Sequence, residues 1–271
     1  MAQRNVFWDE RDMQLDGQKI YPSILAIGDS WFWYPLPGGS LISQLGKLVQ
    51  SKEHNILALG YNGAEAYDYV FGKYEKSVRT ALQLYGDGLS AVFVSGGGND
   101  YAGFNDLRPL LLRDCSRSTS AEACFNASPG GELPRLMEKI KNSYITLLGR
   151  IVFHCHSAGF QRIFIHNYDY AIPSGIGVFG QQSTWLKAAL DDARVPAAYQ
   201  AECIRHVLNK FTEALEQIAR KNSDRIVLVK SNGTLTAGDW ANELHPTQSG
   251  FEKIAVRRWK PALQQFGLAA A

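Results

Sequence analysis

Short apolar runs alternate with longer amphipathic stretches along this chain. Five runs of four or five residues are typical of buried strands, and they cover residues 24–27, 55–59, 91–94, 162–166 and 226–229. In the other stretches, apolar residues recur at helical spacing, which predicts helices over residues 40–50, 64–85, 133–157, 197–221 and 249–266. Strands separated by helices indicate a parallel sheet, because parallel strands need crossover connections. The pattern therefore predicts an α/β fold, a three-layer sandwich around a five-stranded parallel sheet of flavodoxin-like topology.

Two stretches, around residues 101–132 and 167–195, lack a regular pattern. We interpret both as loop insertions within one domain that spans residues 1–271, since a chain of this length fits one α/β domain with long loops.

The composition narrows the class of protein. The chain is 45% hydrophobic and 20% charged, with a formal net charge of +2 and no dense Lys/Arg run, so nucleic acid is not expected as a partner. No apolar run approaches the roughly 18 residues of a membrane span. The N-terminal segment lacks the apolar core of a signal peptide, which makes a cytoplasmic location the default expectation. Signal-independent export and earlier removal of a signal remain open.

Cysteines are sparse, and four in a chain of this length are not a disulfide framework. Cys115 and Cys124 lie in one polar loop, where they could form a small disulfide or remain free thiols. Cys155 and Cys203 lie in predicted helices and are expected in the core.

Polar residues follow the predicted strands where each strand ends. Ser30 follows the first strand, Gly63 the second and Asn99 the third, while His245 lies beyond the fifth. Sites in parallel sheets form at the carboxyl ends of the strands, so we expect these residues to share one edge.

Ser30 and His245 together indicate nucleophilic chemistry. A serine hydroxyl is a weak nucleophile unless a base takes its proton, and histidine is suited to that role near neutral pH. Alone, Ser30 would be interpreted as a helix cap and His245 as a surface residue. Attack on an ester carbonyl creates an oxyanion, which the backbone N–H groups of Ser30 and Gly63 and the Asn99 amide could bind.

Four segments resemble the sequence blocks of the SGNH (GDSL-like) hydrolase superfamily in order and placement: GDSW at 28–31, Gly63 within YNGAE, GGND at 97–100 and ELHP at 243–246. The resemblance spans roughly residues 24–250. It implies that Ser30 is the nucleophile and an oxyanion donor, that Gly63 and Asn99 complete the oxyanion hole, and that His245 is the base. It also implies hydrolysis of esters or thioesters, such as lipids, acetylated sugars or short acyl esters, with neither metal nor cofactor.

The sequence departs from this family at Asn242, where an aspartate usually stands three residues before the histidine. An asparagine can accept the imidazole N–H but brings no charge. Three interpretations follow: Asn242 orients His245, Asp239 does so instead, or the site is weakened or inactive, by nature or through an introduced change.

Aromatic residues near these blocks are candidates for a substrate pocket, namely Trp31 and Trp33 after the nucleophile and Tyr168 after the fourth strand. A G-x-G-x-x-G pattern at 175–180 does not directly follow a strand, so it does not predict a dinucleotide site. His154 and His156 are two residues apart in a predicted helix and do not share a face, so no metal site is expected.

The function that fits best is a serine carboxylic ester hydrolase that acts through an acyl-enzyme on Ser30. Its substrate would be a small-molecule ester, an acyl lipid or an acylated carbohydrate. The alternative is a non-catalytic or weakened module that binds an acylated or carbohydrate ligand. A nucleotide-binding protein of flavodoxin-like fold is disfavoured by the missing phosphate loop. Nothing in the sequence indicates the oligomeric state.

Overall fold

A computed structural model describes residues 4–15, 21–33, 39–126, 128–178 and 184–271 of the chain. The strands in its described part are β1 (Val6–Phe7), β2 (Ile24–Gly28), β3 (Ile56–Gly60), β4 (Ala91–Ser95), β5 (Arg162–His166) and β6 (Ile226–Val229). They form a six-stranded, wholly parallel sheet in the order β1-β3-β2-β4-β5-β6.

The prediction of five strands is wrong by one edge strand. Strand β1 pairs with β3, with Val6 opposite Ile56. Two residues are too few to produce a recognisable hydrophobic period, which is why the pattern missed β1. The five predicted strands are all present, and β2, β3 and β4 are almost wholly buried. Burial on both faces is expected of a parallel sheet covered by helices on each side, and this arrangement confirms the α/β class.

Two groups of helices flank the sheet. The described helices are α1 (Glu10–Leu15), α2 (Leu41–Gln50), α3 (Glu75–Tyr85), α4 (Phe104–Leu107), α5 (Glu132–His154), α6 (Leu186–Asp192), α7 (Ala197–Lys221), α8 (Gln248–Ile254) and α9 (Lys260–Gln265). Helix α5 packs against both α3 and α7, and α2 packs against α8.

Two predicted helices are interrupted. Residues 64–85 contain only a 3-10 turn, Ala66–Tyr69, before α3 begins. Gly72 lies in this break, and a Cβ there would lie 2.5 Å from the carboxylate of Asp68. Residues 249–266 form α8, a π-helical segment at Ala255–Trp259, and α9. Pro261 follows that segment and lacks the N–H that a regular helix requires, which accounts for the interruption.

The two predicted insertions contain short regular elements. Residues 101–132 include α4 and an antiparallel bridge between Leu111 and Phe125. Residues 167–195 include α6, while Gly180 of the glycine pattern lies outside the described residues.

All four cysteines are buried free thiols, so Cys115 and Cys124 are not joined in this structure. Burial raises the pKa of the Cys115 thiol to about 11. Among the helices that the structure describes, none combines the length and apolarity that a bilayer crossing needs.

Candidate active site

Residues 29–33 form a turn that follows the carboxyl end of β2, and we call it the nucleophile turn after the role that the sequence predicts for Ser30. Gly28 ends the strand where a Cβ would lie 2.6 Å from the carbonyl oxygen of Ser95, so a larger residue does not fit. The Asp29 carboxylate then accepts the backbone N–H of Trp31 at 2.9 Å, closing a tight turn around Ser30. Ser30 is 8% exposed, and its hydroxyl lies at the sheet edge that the sequence indicated.

The histidine turn, residues 239–247, precedes α8 and brings His245 to Ser30. His245 Nε2 lies 2.7 Å from Ser30 Oγ. His245 Nδ1 lies 3.1 Å from Asn242 Oδ1, which also accepts the backbone N–H groups of Leu244 and His245 at 3.0 and 2.9 Å. Accepting two backbone N–H groups identifies this Asn242 atom as the carbonyl oxygen. We therefore assign the imidazole proton to Nδ1, which leaves the Nε2 lone pair facing the Ser30 hydroxyl.

The imidazole of His245 is buried, and its hydrogen-bond partner at Nδ1 is a neutral amide. Burial lowers the pKa of His245 to about 4. The ring is therefore uncharged near neutral pH, which is the state that the predicted role of general base requires. An aspartate at position 242 would counter this effect, because a nearby anion favours the imidazolium.

Asp239 has other partners in the histidine turn. Its carboxylate forms an ion pair with Lys253 and accepts the backbone N–H and the hydroxyl of Thr236, each at 2.9 Å. The Lys253 hydrogen bond, followed by that of the Thr236 backbone, lowers the pKa of Asp239 to about 2. The structure thus places Asn242 at His245 Nδ1 and uses Asp239 to fix the turn itself.

Asn99 and Gly63 lie on the two loops that follow β4 and β3. Asn99 lines the same pocket as Ser30 and His245. Its Nδ2 donates to the carbonyl oxygen of Ala64 at 3.0 Å, which ties the two loops together. Gly63 is exposed in the neighbouring turn with φ of +73°, a conformation that favours glycine.

Tyr168 connects the nucleophile turn to the loop that carries Asn99. Its hydroxyl donates to Asp29 Oδ2 at 2.5 Å and accepts the backbone N–H of Gly98 at 3.2 Å. Burial raises the pKa of Asp29 to about 7, although the Tyr168 hydrogen bond acts in the opposite direction. The sequence suggested Tyr168 as a pocket residue but did not reveal this bridge, because the residues it joins are far apart in the chain.

Trp31 and Trp33 occupy different surroundings. Trp31 is 4% exposed, meets Tyr168 edge-on at 5.0 Å and donates from Nε1 to the Leu244 carbonyl oxygen at 3.0 Å. It lines the pocket and also joins the nucleophile turn to the histidine turn. Trp33 lies over Gly60 at the end of β3 and, within the described residues, is not part of the pocket wall.

The pocket lined by Ser30, His245 and Asn99 has a wall of mainly apolar side chains, most of them aliphatic. Helices α4, α6 and α7 supply most of the aliphatic residues. The sequence did not predict this wall, because α4 and α6 lie within the two stretches that lack a regular pattern. The aliphatic wall residues are Ala102, Leu107, Ala171, Leu186, Ile204, Val207, Leu208 and Leu244. Across the described ranges, no group of three or more His, Cys, Asp or Glu side chains is arranged to hold a metal ion.

No protein-family model matches the sequence, and no curated protein matches it either. Solved structures of lipases and esterases, in contrast, have a similar fold. A lipase from a goat rumen metagenome superposes with a TM-score of 0.57 at 12% identity, covering 92% of this chain and 98% of the lipase.

Two further solved structures also have a similar fold. An inhibitor-bound aryl esterase of M. smegmatis has a TM-score of 0.54 at 11% identity, covering 90% of this chain and 99% of the esterase. A protein described as a GDSL-like lipase from Parabacteroides merdae has a TM-score of 0.54 at 14% identity, covering 92% and 98%. At these identities the similarity shows a shared fold.

Proposed function

We propose that this protein is a serine carboxylic ester hydrolase that acts through an acyl-enzyme on Ser30. The observation that carries the proposal is the chain of contacts from Ser30 Oγ to His245 Nε2 at 2.7 Å and from His245 Nδ1 to Asn242 Oδ1 at 3.1 Å. Ser30 and His245 both line a pocket, where an ester could meet the serine. The fold of known lipases and esterases supports the same reaction class.

The reaction begins when Ser30 Oγ attacks the acyl carbon while His245 Nε2 takes the hydroxyl proton. The imidazolium then returns this proton to the leaving alcohol, which departs and leaves an acyl ester on Ser30. A water molecule deprotonated by His245 then attacks this ester, the bond from the acyl carbon to Ser30 Oγ breaks and releases the carboxylic acid, and the imidazolium returns its proton to Ser30 Oγ. Asn242 holds the ring in the required tautomer throughout, but it does not neutralise the imidazolium.

The oxyanion formed in each step needs donors placed in advance. We assign this role to the backbone N–H groups of Ser30 and Gly63 and to the Asn99 side-chain amide. An amide nitrogen carries two N–H groups. Asn99 can therefore donate one to Ala64 and direct the other toward the substrate.

The pocket wall supports an aliphatic acyl group as the substrate's acid portion. Asp29 and Asp169 also line the pocket, but Asp29 is bound to Tyr168, and Asp169 accepts the backbone N–H groups of Gly233, Thr234 and Leu235. The remaining surface is mostly aliphatic, so burying methylene groups there is favourable. Esters of small alcohols, lipids and acylated carbohydrates all present such a group.

The test combines turnover with labelling of the nucleophile. Wild type is expected to hydrolyse p-nitrophenyl esters and to gain one phosphonyl group on Ser30 when treated with a fluorophosphonate, as read by peptide mass spectrometry. Ser30→Ala should lower kcat by at least about a thousandfold and abolish the labelling. Ser223→Ala, which alters an exposed serine after α7, is the matched control and should behave as wild type. An inactive, unlabelled wild type would instead favour the non-catalytic binding module.

A further inference from the structure

Glu243 is a completely buried carboxylate within the histidine turn. It accepts four backbone N–H groups from a segment far away in the sequence. Oε1 takes those of Gly175 and Lys187, each at 3.0 Å, and Oε2 takes those of Trp185 and Leu186 at 2.7 and 2.9 Å. We call this set of contacts the Glu243 clamp.

The clamp gives hydrogen-bond partners both to the backbone N–H groups at the start of α6 and to the Glu243 carboxylate. Backbone N–H groups at the start of a helix have no partner within the helix, and α6 begins at Leu186. A buried carboxylate in turn needs several donors to replace the water it has lost. Because the same atoms meet both needs, the start of α6 is fixed to the histidine turn.

The clamped segment reaches both the pocket and the catalytic ring. Leu186 forms part of the pocket wall. The ring of Trp185 meets that of His245 edge-on, with centroids 6.3 Å apart. On the other side of the clamp, Leu244 also lines the pocket. Glu243 therefore stands between the groups that would move the proton and those that would hold the acyl chain.

We propose that Glu243 is a positioning residue for acyl-chain selection, which it performs by holding the α6 wall of the pocket against the His245 turn. The proposal rests on the ester hydrolase function proposed above. An acetyl group ends close to Ser30 and makes little use of this wall, whereas a longer aliphatic acyl chain must lie along it. Loss of the clamp is therefore expected to affect long acyl esters selectively.

The first test is Glu243→Gln, assayed with p-nitrophenyl acetate and p-nitrophenyl hexanoate. The glutamine places an NH2 group opposite two backbone N–H groups, which opens the clamp on one side. We expect KM for the hexanoate to rise at least about tenfold and by several times more than KM for the acetate, since small displacements of a positioning group have large effects on a substrate that lies along the displaced wall. Glu243→Asp, which keeps both acceptor oxygens, should restore part of the hexanoate KM.

A second pair of variants opens the clamp without changing Glu243. Lys187→Pro removes one donating N–H in the first turn of α6, where proline is tolerated. Lys187→Ala removes the same side chain and keeps the N–H. We expect the hexanoate KM to rise for Lys187→Pro and to stay near the wild-type value for Lys187→Ala. This pair decides the matter if Glu243→Gln does not fold, as monitored by circular dichroism.

Two outcomes would overturn the proposal, and they can be told apart. If wild type hydrolyses both esters and the clamp variants lose activity equally on each, Glu243 is structural only and the hydrolase function stands. If wild type hydrolyses neither ester and Ser30 is not labelled, the hydrolase function itself fails and takes this inference with it.

Discussion

The nucleophile turn and the histidine turn use buried carboxylates differently. In the nucleophile turn, Asp29 directly precedes Ser30, and burial raises its pKa to about 7. In the histidine turn, Asp239 has a pKa lowered to about 2 by Lys253 and Thr236, and Glu243 is occupied by the start of α6. The imidazole of His245, in the same turn, faces the neutral amide of Asn242. The carboxylates of the histidine turn therefore stabilise the turn and the start of α6 rather than the imidazolium.

This difference assigns separate tasks to the two regions. The nucleophile region, by which we mean the nucleophile turn together with the loops that carry Asn99 and Gly63, contains the serine and the proposed oxyanion donors. Short hydrogen-bonded bridges connect its parts, such as Tyr168 between Asp29 and Gly98. The hydrogen bonds of the histidine turn instead fix the shape of the turn and hold the α6 wall of the pocket. Four substitutions test this division.

The largest effect is expected from Asn99→Ala in the nucleophile region. Loss of one preorganised oxyanion donor should lower kcat by about 10²- to 10³-fold with a small change in KM. Steady-state kinetics with p-nitrophenyl acetate measure both constants. Asn62→Ala, at an exposed position beside Gly63, is the control and should stay near wild type. A similar loss in both variants would mean that loop shape matters, and not the Asn99 amide.

Asn242→Asp places a negative charge beside the His245 imidazole, where wild type has a neutral amide. The aspartate keeps an oxygen for the Leu244 and His245 N–H groups and stabilises the imidazolium, so kcat near neutral pH should rise about tenfold. The acid limb of the pH profile gives an independent reading. In wild type, activity should fall only as the pH drops through about 4, where Nε2 becomes protonated and can no longer act as a base.

In Asn242→Asp this limb should move to higher pH, because an anion beside the ring raises the pKa of His245. Profiles of kcat/KM against pH for the two proteins make the comparison, and Asn242→Ala serves as the uncharged control. An unchanged limb in Asn242→Asp would show that His245 is not the group whose protonation limits the rate.

Tyr168→Phe removes the bridge between Asp29 and Gly98 and should lower kcat about tenfold, because the nucleophile turn and the Asn99 loop lose their common partner. The pKa of Asp29 should rise further, since the tyrosine hydrogen bond lowers it. Tyr170→Phe is the control, because the Tyr170 hydroxyl donates to Asn209. Equal losses in both variants would argue against a specific role for the bridge.

The smallest effect on activity is expected from Asp239→Asn. Its kcat should remain within about twofold of wild type, because Asn242 is the group at the imidazole. Thermal stability should fall, since the lowered pKa of Asp239 means that its ionised form stabilises the fold. That contribution is present above about pH 4 and disappears as the pH falls toward 2, so the difference in Tm from wild type should shrink over this range. A severe loss of activity would restore Asp239 as the orienting residue.

Sequence reasoning succeeded where a signal is local. The five longer strands were predicted because each is a continuous apolar run that ends in small or polar residues. The meeting of Ser30, Asn99 and His245 followed from the rule that parallel strands end at one edge. Strand β1 and the interruption at residues 64–74 were missed, because two residues carry no period and because a 3-10 turn resembles the start of a helix.

The sequence by itself determined the α/β class, the edge at which polar residues gather and the candidate pair Ser30 and His245. These depend on the hydrophobic period and on the alternation of strands and helices along the chain, both of which are visible in short stretches of sequence. Only the tertiary structure decided which group contacts the imidazole, which residues form the pocket wall and what Glu243 binds. Each of those depends on contacts between segments distant in the chain, where one hydrogen-bond partner excludes another. The difference between Asn242 at the ring and Glu243 at the start of α6 is of that kind, since the two residues are adjacent in sequence and their side chains serve different parts of the molecule.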